Sequence, residues 1–208
     1  MNIGIIGTGR MGEALGRLAA RKGHAVLFGS RDPARLHGLV EECGHDARCG
    51  TYAQAAAFAK AVFLTVPWHA AEETIKGLGP LSGKILVDCT NPLGRDLTDL
   101  VVPPGTSAAE LVAGWAPGAR VVKAFNAIHY GNLADPRFGG CTASLFYCGD
   151  DASAKHFVAT FGEQLGFAPI DVGPLAMARH LESLALLWVH LAFAQNLGTD
   201  TAITLVRR

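Results

Sequence analysis

The sequence predicts an α/β fold: a doubly wound, mostly parallel sheet with a short helical extension at its C-terminus. Two observations predict it. Short apolar runs, suited to strands buried on both faces, alternate with stretches of helical spacing. The first run leads straight into Gly7-Thr8-Gly9-Arg10-Met11-Gly12. That glycine pattern is weak alone, but between a strand and a helix it is a dinucleotide fingerprint, so the expected fold is Rossmann-type.

Each element follows in order. Residues 2–6 form the first strand, and residues 13–21 carry Leu15, Leu18 and Ala19 at helical spacing. The glycines between them have separate tasks. Gly7 turns the chain off the strand, Gly9 lets backbone approach a pyrophosphate, and Gly12 lets helix and sheet pack closely. A second strand at 25–28 ends in Gly29-Ser30-Arg31. The next helix, 33–43, opens on Asp32 as N-cap with Pro33 at its first position, and Gly44 ends it. A weak strand at 47–50 precedes an Ala-rich helix at 52–59; a fourth strand at 61–66 is closed by Pro67. Residues 69–78 are helical, and a fifth strand at 84–89 runs into Thr90-Asn91-Pro92. After the breakers Pro103-Pro104-Gly105, Ser107 and Glu110 have capping-box spacing for a helix reaching residue 115. A sixth strand spans 120–125. Plain alternation then gives way to a strand (143–148), a helix (151–165), a strand (167–172) and a long apolar helix at 174–197, with a tail to Arg208. Residues 1–172 are expected to form the nucleotide-binding unit, and 173–208 a helical cap on the same body.

Composition narrows the function. With 208 residues and zero formal net charge, the chain can bury a sizeable core and has no basic face for nucleic acid. No apolar run reaches about 18 residues, so no membrane span is expected. Met1 leads directly into a strand, without the basic and apolar regions of a secretory leader. Five cysteines without Cys-x-x-Cys spacing suit free thiols in a reducing cytoplasm. Cys43, His45 and Cys49 lack a fourth ligand, so no metal site is expected.

The tip of the second strand selects the nucleotide. An NAD site needs an Asp or Glu there to accept from the ribose hydroxyls; this chain has Ser30-Arg31, with Arg35 four residues on. One helical turn apart, Arg31 and Arg35 share a face, and a guanidinium suits a phosphate dianion better than a neutral diol. The expected cofactor is NADP(H). In an open parallel sheet, ligands lie beyond the carboxyl ends of the strands. Candidates for the rest of the site are therefore Pro67-Trp68-His69, Thr90-Asn91-Pro92, and the segment from Phe125 through Asn126 to His129, with Ala124 just before it. Trp68 packs on a ligand ring or fills a core gap. His69 and His129 are candidate acids or bases, and Asn126 a candidate partner for a carboxamide. Lys123, inside an apolar strand, must pair, face solvent or meet a ligand. Glu182 is expected to pair with Arg179, three residues away. There is no Tyr-x-x-x-Lys and no clear His–Asp partnership of the kind an alcohol dehydrogenase requires. A redox ring as acceptor relaxes that demand, because the protein then has only to orient two rings and exclude water.

At these residues the chain resembles the coenzyme F420-dependent NADP oxidoreductases and is similar to the cytosolic domain of the STEAP metalloreductases. Besides the fingerprint, the resemblance is carried by Gly29-Ser30-Arg31, Thr65-Val66-Pro67-Trp68, Ser107-Ala108-Ala109-Glu110, Cys148-Gly149-Asp150-Asp151, and Gly173-Pro174-Leu175 followed by Ala178-Arg179-His180-Leu181-Glu182. It implies that Thr8, Arg10 and Met11 line the pyrophosphate, that Ser30, Arg31 and Arg35 hold the 2′-phosphate, and that Val66, Pro67 and Trp68 flank the nicotinamide. It implies hydride transfer between NADP(H) and a deazaflavin (coenzyme F420) or flavin-like small-molecule acceptor, and a homodimer paired through C-terminal helices. Archaeal members carry a longer, His-containing segment at residues 124–129, which leaves the acceptor open. Two alternatives stand beside this reading. One is a non-catalytic NADPH-binding redox sensor or electron-delivery module. The other is a small imine or hydroxyacid reductase, although such chains run on into a larger helical domain.

Overall fold

The computed structural model describes residues 1–44 and 46–207. His45, weighed above as a metal ligand, lies outside them, as does Arg208. Strands and helices alternate through β1 (Asn2–Ile6), α1 (Arg10–Arg21), β2 (Ala25–Gly29), α2 (His37–Cys43), β3 (Arg48–Gly50) and α3 (Tyr52–Phe58). They continue through β4 (Ala61–Leu64), α4 (Trp68–Lys76), β5 (Ile85–Asp88), α5 (Ala108–Trp115) and β6 (Arg120–Ala124). These strands are all parallel, in the order β3-β2-β1-β4-β5-β6. The winding reverses beside β1, which places a ligand crevice between the ends of β1 and β4.

Side-chain alternation explains why helices cover both faces. Ile3 and Ile5 join Phe28, Phe63, Val122, Leu15 of α1 and Phe161 in one core. Ile6 points the other way and joins Val62, Leu86, Ala55, Ile75, Val112 and Leu181. With both faces buried, near-continuous apolar strands are what a parallel sheet demands.

The last third differs from a plain repeat. A two-residue hairpin, β7 (Arg137–Phe138) with β8 (Cys141–Thr142), precedes β9 (Ser144–Gly149), α6 (Ala152–Gln164) and β10 (Ala168–Asp171). β9 pairs antiparallel to β6, and β10 runs parallel to β9, extending the sheet to eight strands. The apolar stretch expected as one helix is divided. A 3-10 turn (Leu175–Met177) leads into α7 (Ala178–Val189), which loosens into a π-turn (His190–Ala194) closed by Gln195 N donating to His190 O at 3.1 Å. The tail then returns along the top of β9 as a strap. Asn132 Nδ2 donates to Thr199 O (2.8 Å), Thr204 Oγ1 to Thr142 O (2.8 Å) and Leu205 N to Ser144 Oγ (3.0 Å).

Two expected caps are different in kind. Asp32 holds the N-cap position before Pro33, but its side chain makes no capping bond; its N–H donates to Ser30 Oγ instead. Ser107 Oγ accepts from Glu110 N, while Glu110 turns to the Ser107 hydroxyl and Arg179 rather than back to the Ser107 amide. The reciprocal box lies at Thr51 and Gln54, opening α3. Among the described residues all five cysteines are free, no cluster of metal ligands occurs, and no helix is long and apolar enough to cross a membrane.

Candidate functional site

A cleft of about 480 Å³ opens over the carboxyl ends of β1, β4 and β5. Its floor is the loop at residues 7–11. Gly7 sits at φ 103°, in the left-handed region where a side chain is strained. A Cβ at Gly9 would meet nothing, so this backbone faces open space, and Gly9 caps α1 without a side chain. The first amides of α1 and the positive end of its dipole are thus presented to the cleft. Thr65 Oγ1 pins the loop by donating to Ile6 O (3.0 Å) and Gly7 O (2.7 Å). Gly12 lies behind the floor, where its missing Cβ lets α1 rest against Gly7 O.

One wall is Ser30, Arg31 and Tyr52. Ser30 Oγ accepts from Asp32 N and keeps its own hydrogen for a ligand. Among the described residues no carboxylate lines the cleft, so the wall suits a phosphate rather than a ribose diol. The opposite wall is Thr65, Val66, Pro67 and Trp68, and the far end is Cys89, Thr90 and Asn91. The Trp68 ring stacks on Trp115 (centroids 5.4 Å apart) and also lines the cleft. Burial pushes the Cys89 thiol far above its ordinary range, so it stays protonated.

Several predicted residues stand elsewhere. Residues 33–36 form a 3-10 turn, so the helical spacing that placed Arg35 beside Arg31 does not apply; Arg35 is exposed and does not line the cleft. Pro92 is buried, with its carbonyl accepting from Val101 N at 2.7 Å. Ala124 points into the core against α1 and α6. His69 is exposed and opens onto a neighbouring depression of about 330 Å³, shared with Arg31, Tyr52 and Pro67. His129 is half-buried outside the cleft, stacked on Trp188 at 5.9 Å, with Nδ1 accepting from Gly131 N. Burial, and then the positive charge of Arg10, hold its pKa below the usual value. Arg10 itself is held by Tyr130, donating Nη1 to its hydroxyl at 3.1 Å. Asn126 is buried and spends its amide hydrogens on Asn91 Oδ1 (3.1 Å) and Leu181 O (2.9 Å), so it has none left to donate to a carboxamide. It follows Phe125, whose φ of 63° is a strained backbone held in place by packing against Phe63, Phe161 and Phe167.

Beneath the far end of the cleft, Lys123 does pair. It is fully buried between Asp88 (2.8 Å) and Glu182 (2.9 Å), both fully buried as well. Burial pulls its pKa down, but the two carboxylates outweigh this and hold it above its usual value, so the ammonium stays charged. Glu182 therefore does not pair with Arg179, which reaches Glu110 instead at 2.6 Å. Helical i, i+3 proximity lost to two stronger partners.

Thr90, a candidate from the sequence, does line the cleft, whereas sequence reasoning missed Tyr52, Thr65 and Cys89 as lining residues. Thr65 had a signal: a hydroxyl directly after an apolar run lies at the carboxyl edge of the sheet. Tyr52 had none, since its place depends on how α3 packs.

The family described as coenzyme F420-dependent NADP oxidoreductase matches residues 2–92. The F420-dependent NADP reductase of Methanocaldococcus jannaschii is 32% identical over 150 residues, covering 69% of this chain and 67% of that one. A crystal structure of a candidate F420-dependent NADP reductase from Arthrobacter sp. FB24 superposes with a TM-score of 0.90 at 31% identity, over 100% of both chains. Metalloreductase STEAP3 of Rattus norvegicus is 34% identical over 185 residues, 88% of this chain. This chain spans only 36% of that metalloreductase's length.

Proposed function

This chain belongs to the coenzyme F420-dependent NADP oxidoreductase family, and from that premise we propose that it transfers hydride between NADP(H) and a deazaflavin such as coenzyme F420, or a flavin-like ring. The observation that carries the reading is the cleft itself. It joins a phosphate-suited tip at Ser30 and Arg31 to an apolar rim at Val66, Pro67 and Trp68, and its lining holds no His and no carboxylate among the described residues. NADPH, when bound, supplies a hydride from C4 of its nicotinamide. The protein's part is placement. Thr8, Met11 and the amides of α1 hold the pyrophosphate; Arg10 joins them by leaving Tyr130. Ser30 and Arg31 hold the 2′-phosphate. Trp68, Thr90 and Asn91 shape the nicotinamide end and exclude water. Without an acid–base pair lining the cleft, a ring acceptor suits it better than an alcohol or an imine.

A non-catalytic NADPH-binding or electron-delivery module uses the same cleft, and the likeness to part of a metalloreductase favours it as the second reading. Stopped-flow mixing of NADPH-loaded protein with coenzyme F420, FMN and riboflavin separates the two. Rapid reduction of one ring supports hydride transfer, and NADPH left unoxidised by all three overturns it. The assembly proposed is a homodimer, supported by Leu187 and Phe193, which stand 52% and 55% exposed on α7 and its π-turn. A monomer mass by light scattering would overturn that.

A further inference from the structure

Asp88, Lys123 and Glu182 come from the end of β5, from β6 and from α7, and none exposes any surface. Lys123 Nζ donates to Asp88 Oδ2 (2.8 Å) and Thr90 O (2.7 Å), and forms an ion pair with Glu182 Oε1 at 2.9 Å. Asp88 Oδ1 accepts from Thr90 N (2.9 Å) and Thr90 Oγ1 (2.7 Å). Glu182 accepts from Ala108 N (2.9 Å) and Ala109 N (3.2 Å), the opening amides of α5. Every charge is satisfied, and the surplus negative one lies against the positive end of a helix.

Stability alone is a poor reason for such a group. Desolvation largely offsets the attraction between buried charges, and apolar replacements of similar volume are often neutral or better. What distinguishes this network is its upper side. Thr90 is gripped by its N–H, its hydroxyl and its carbonyl, and it lines the cleft. A second polar path runs alongside: Leu181 O accepts from Asn126 Nδ2, which also donates to Asn91 Oδ1, while Asn91 Nδ2 donates back to Asn126 O (2.7 Å). Residues 181 and 182 of α7 are thus tied to residues 90 and 91 of the cleft by two separate routes.

We propose that Lys123, Glu182 and Asn126 are positioning residues, through which α7 fixes Thr90 and Asn91 against the nicotinamide end of the bound dinucleotide. This rests on the NADP(H) reading of the cleft. None of the three lines the cleft; they act through Thr90 and Asn91. Among the described residues the adenosine end, at Ser30 and Arg31, shares no hydrogen bond with the network.

That asymmetry supplies the test. Calorimetric titration of the full chain with adenosine 2′,5′-bisphosphate reads the adenosine half alone, and titration with NADPH reads both halves. In Glu182→Gln and Asn126→Ala the bisphosphate is expected to bind as in the wild type, while NADPH binds about tenfold more weakly. NADPH binding that is unchanged, or that falls in step with the bisphosphate, overturns the proposal, the second result marking a merely structural role. If Glu182→Gln fails to fold, Asn126→Ala, which buries no orphaned charge, carries the same comparison. Failure of the wild type to bind the bisphosphate would instead overturn the dinucleotide reading beneath it.

Discussion

On the proposed function, cofactor choice turns on Arg31. It stands exposed at the tip of β2, in a wall that contains Ser30 and, among the described residues, no carboxylate. Arg31→Ala is expected to remove most of the preference for NADPH over NADH, a loss of about 1.5–3 kcal/mol for a charge-assisted contact. Titration with each cofactor checks it: NADPH affinity should fall while NADH affinity holds, and equal losses would contradict the 2′-phosphate assignment. The place of Arg31 in the cleft was legible because its position after an apolar run is a local fact. Glu182 was not. Its partners Lys123, Ala108 and Ala109 lie 59 to 74 positions away in sequence, and only the packing of α7 on α5 and β6 brings them together. Local spacing offered Arg179 and had no means of weighing the alternative.

Between α1 and β1 the critical feature is closeness. A Cβ at position 12 would overlap Gly7 O and crowd Thr65 Oγ1, so Gly12→Ala must lever the start of α1 away from the loop it caps. The expected cost is about 1–3 kcal/mol of stability, read as a lower urea midpoint, together with loss of dinucleotide binding. Wild-type binding in that variant would show that the loop tolerates a displaced helix. The existence of most elements was legible, because strands buried on both faces and amphipathic helices write different periods into the chain. Their direction was not. β9 reads as apolar in the same way as the parallel strands, and nothing in Ser144-Leu145-Phe146-Tyr147-Cys148 announces that it runs against β6. The break in the last helix was also hidden, since the run from Leu184 to Ala194 stays apolar apart from His190 through the π-turn. The hairpin of β7 and β8, two residues a strand, is too short to carry any period.

For the molecule as a whole, the strap formed by the tail is a structural part rather than a loose end. It covers a small enclosed cavity lined by Ile128, Phe138, Phe146 and Phe167, and Trp188 Nε1 donates to Thr201 Oγ1 at 3.2 Å to hold it. Truncation after Gly198 uncovers those side chains and orphans the indole donor. The melting temperature should fall by about 5 °C or more, given roughly 2–4 °C per kcal/mol for a chain of this size, and an unchanged midpoint would show the strap to be passive. The reversal at β9 has a last consequence. Because β9 and β10 run the other way, they begin, at Ser144 and Ala168, on the side where β1, β4, β5 and β6 finish. The segments that lead into β9 and β10 therefore arrive on the same side of the sheet as the mouth of the cleft, gathered beyond the end of β6 and away from β1 and β4, so that reversing two strands crowds one flank of that edge and spares the other.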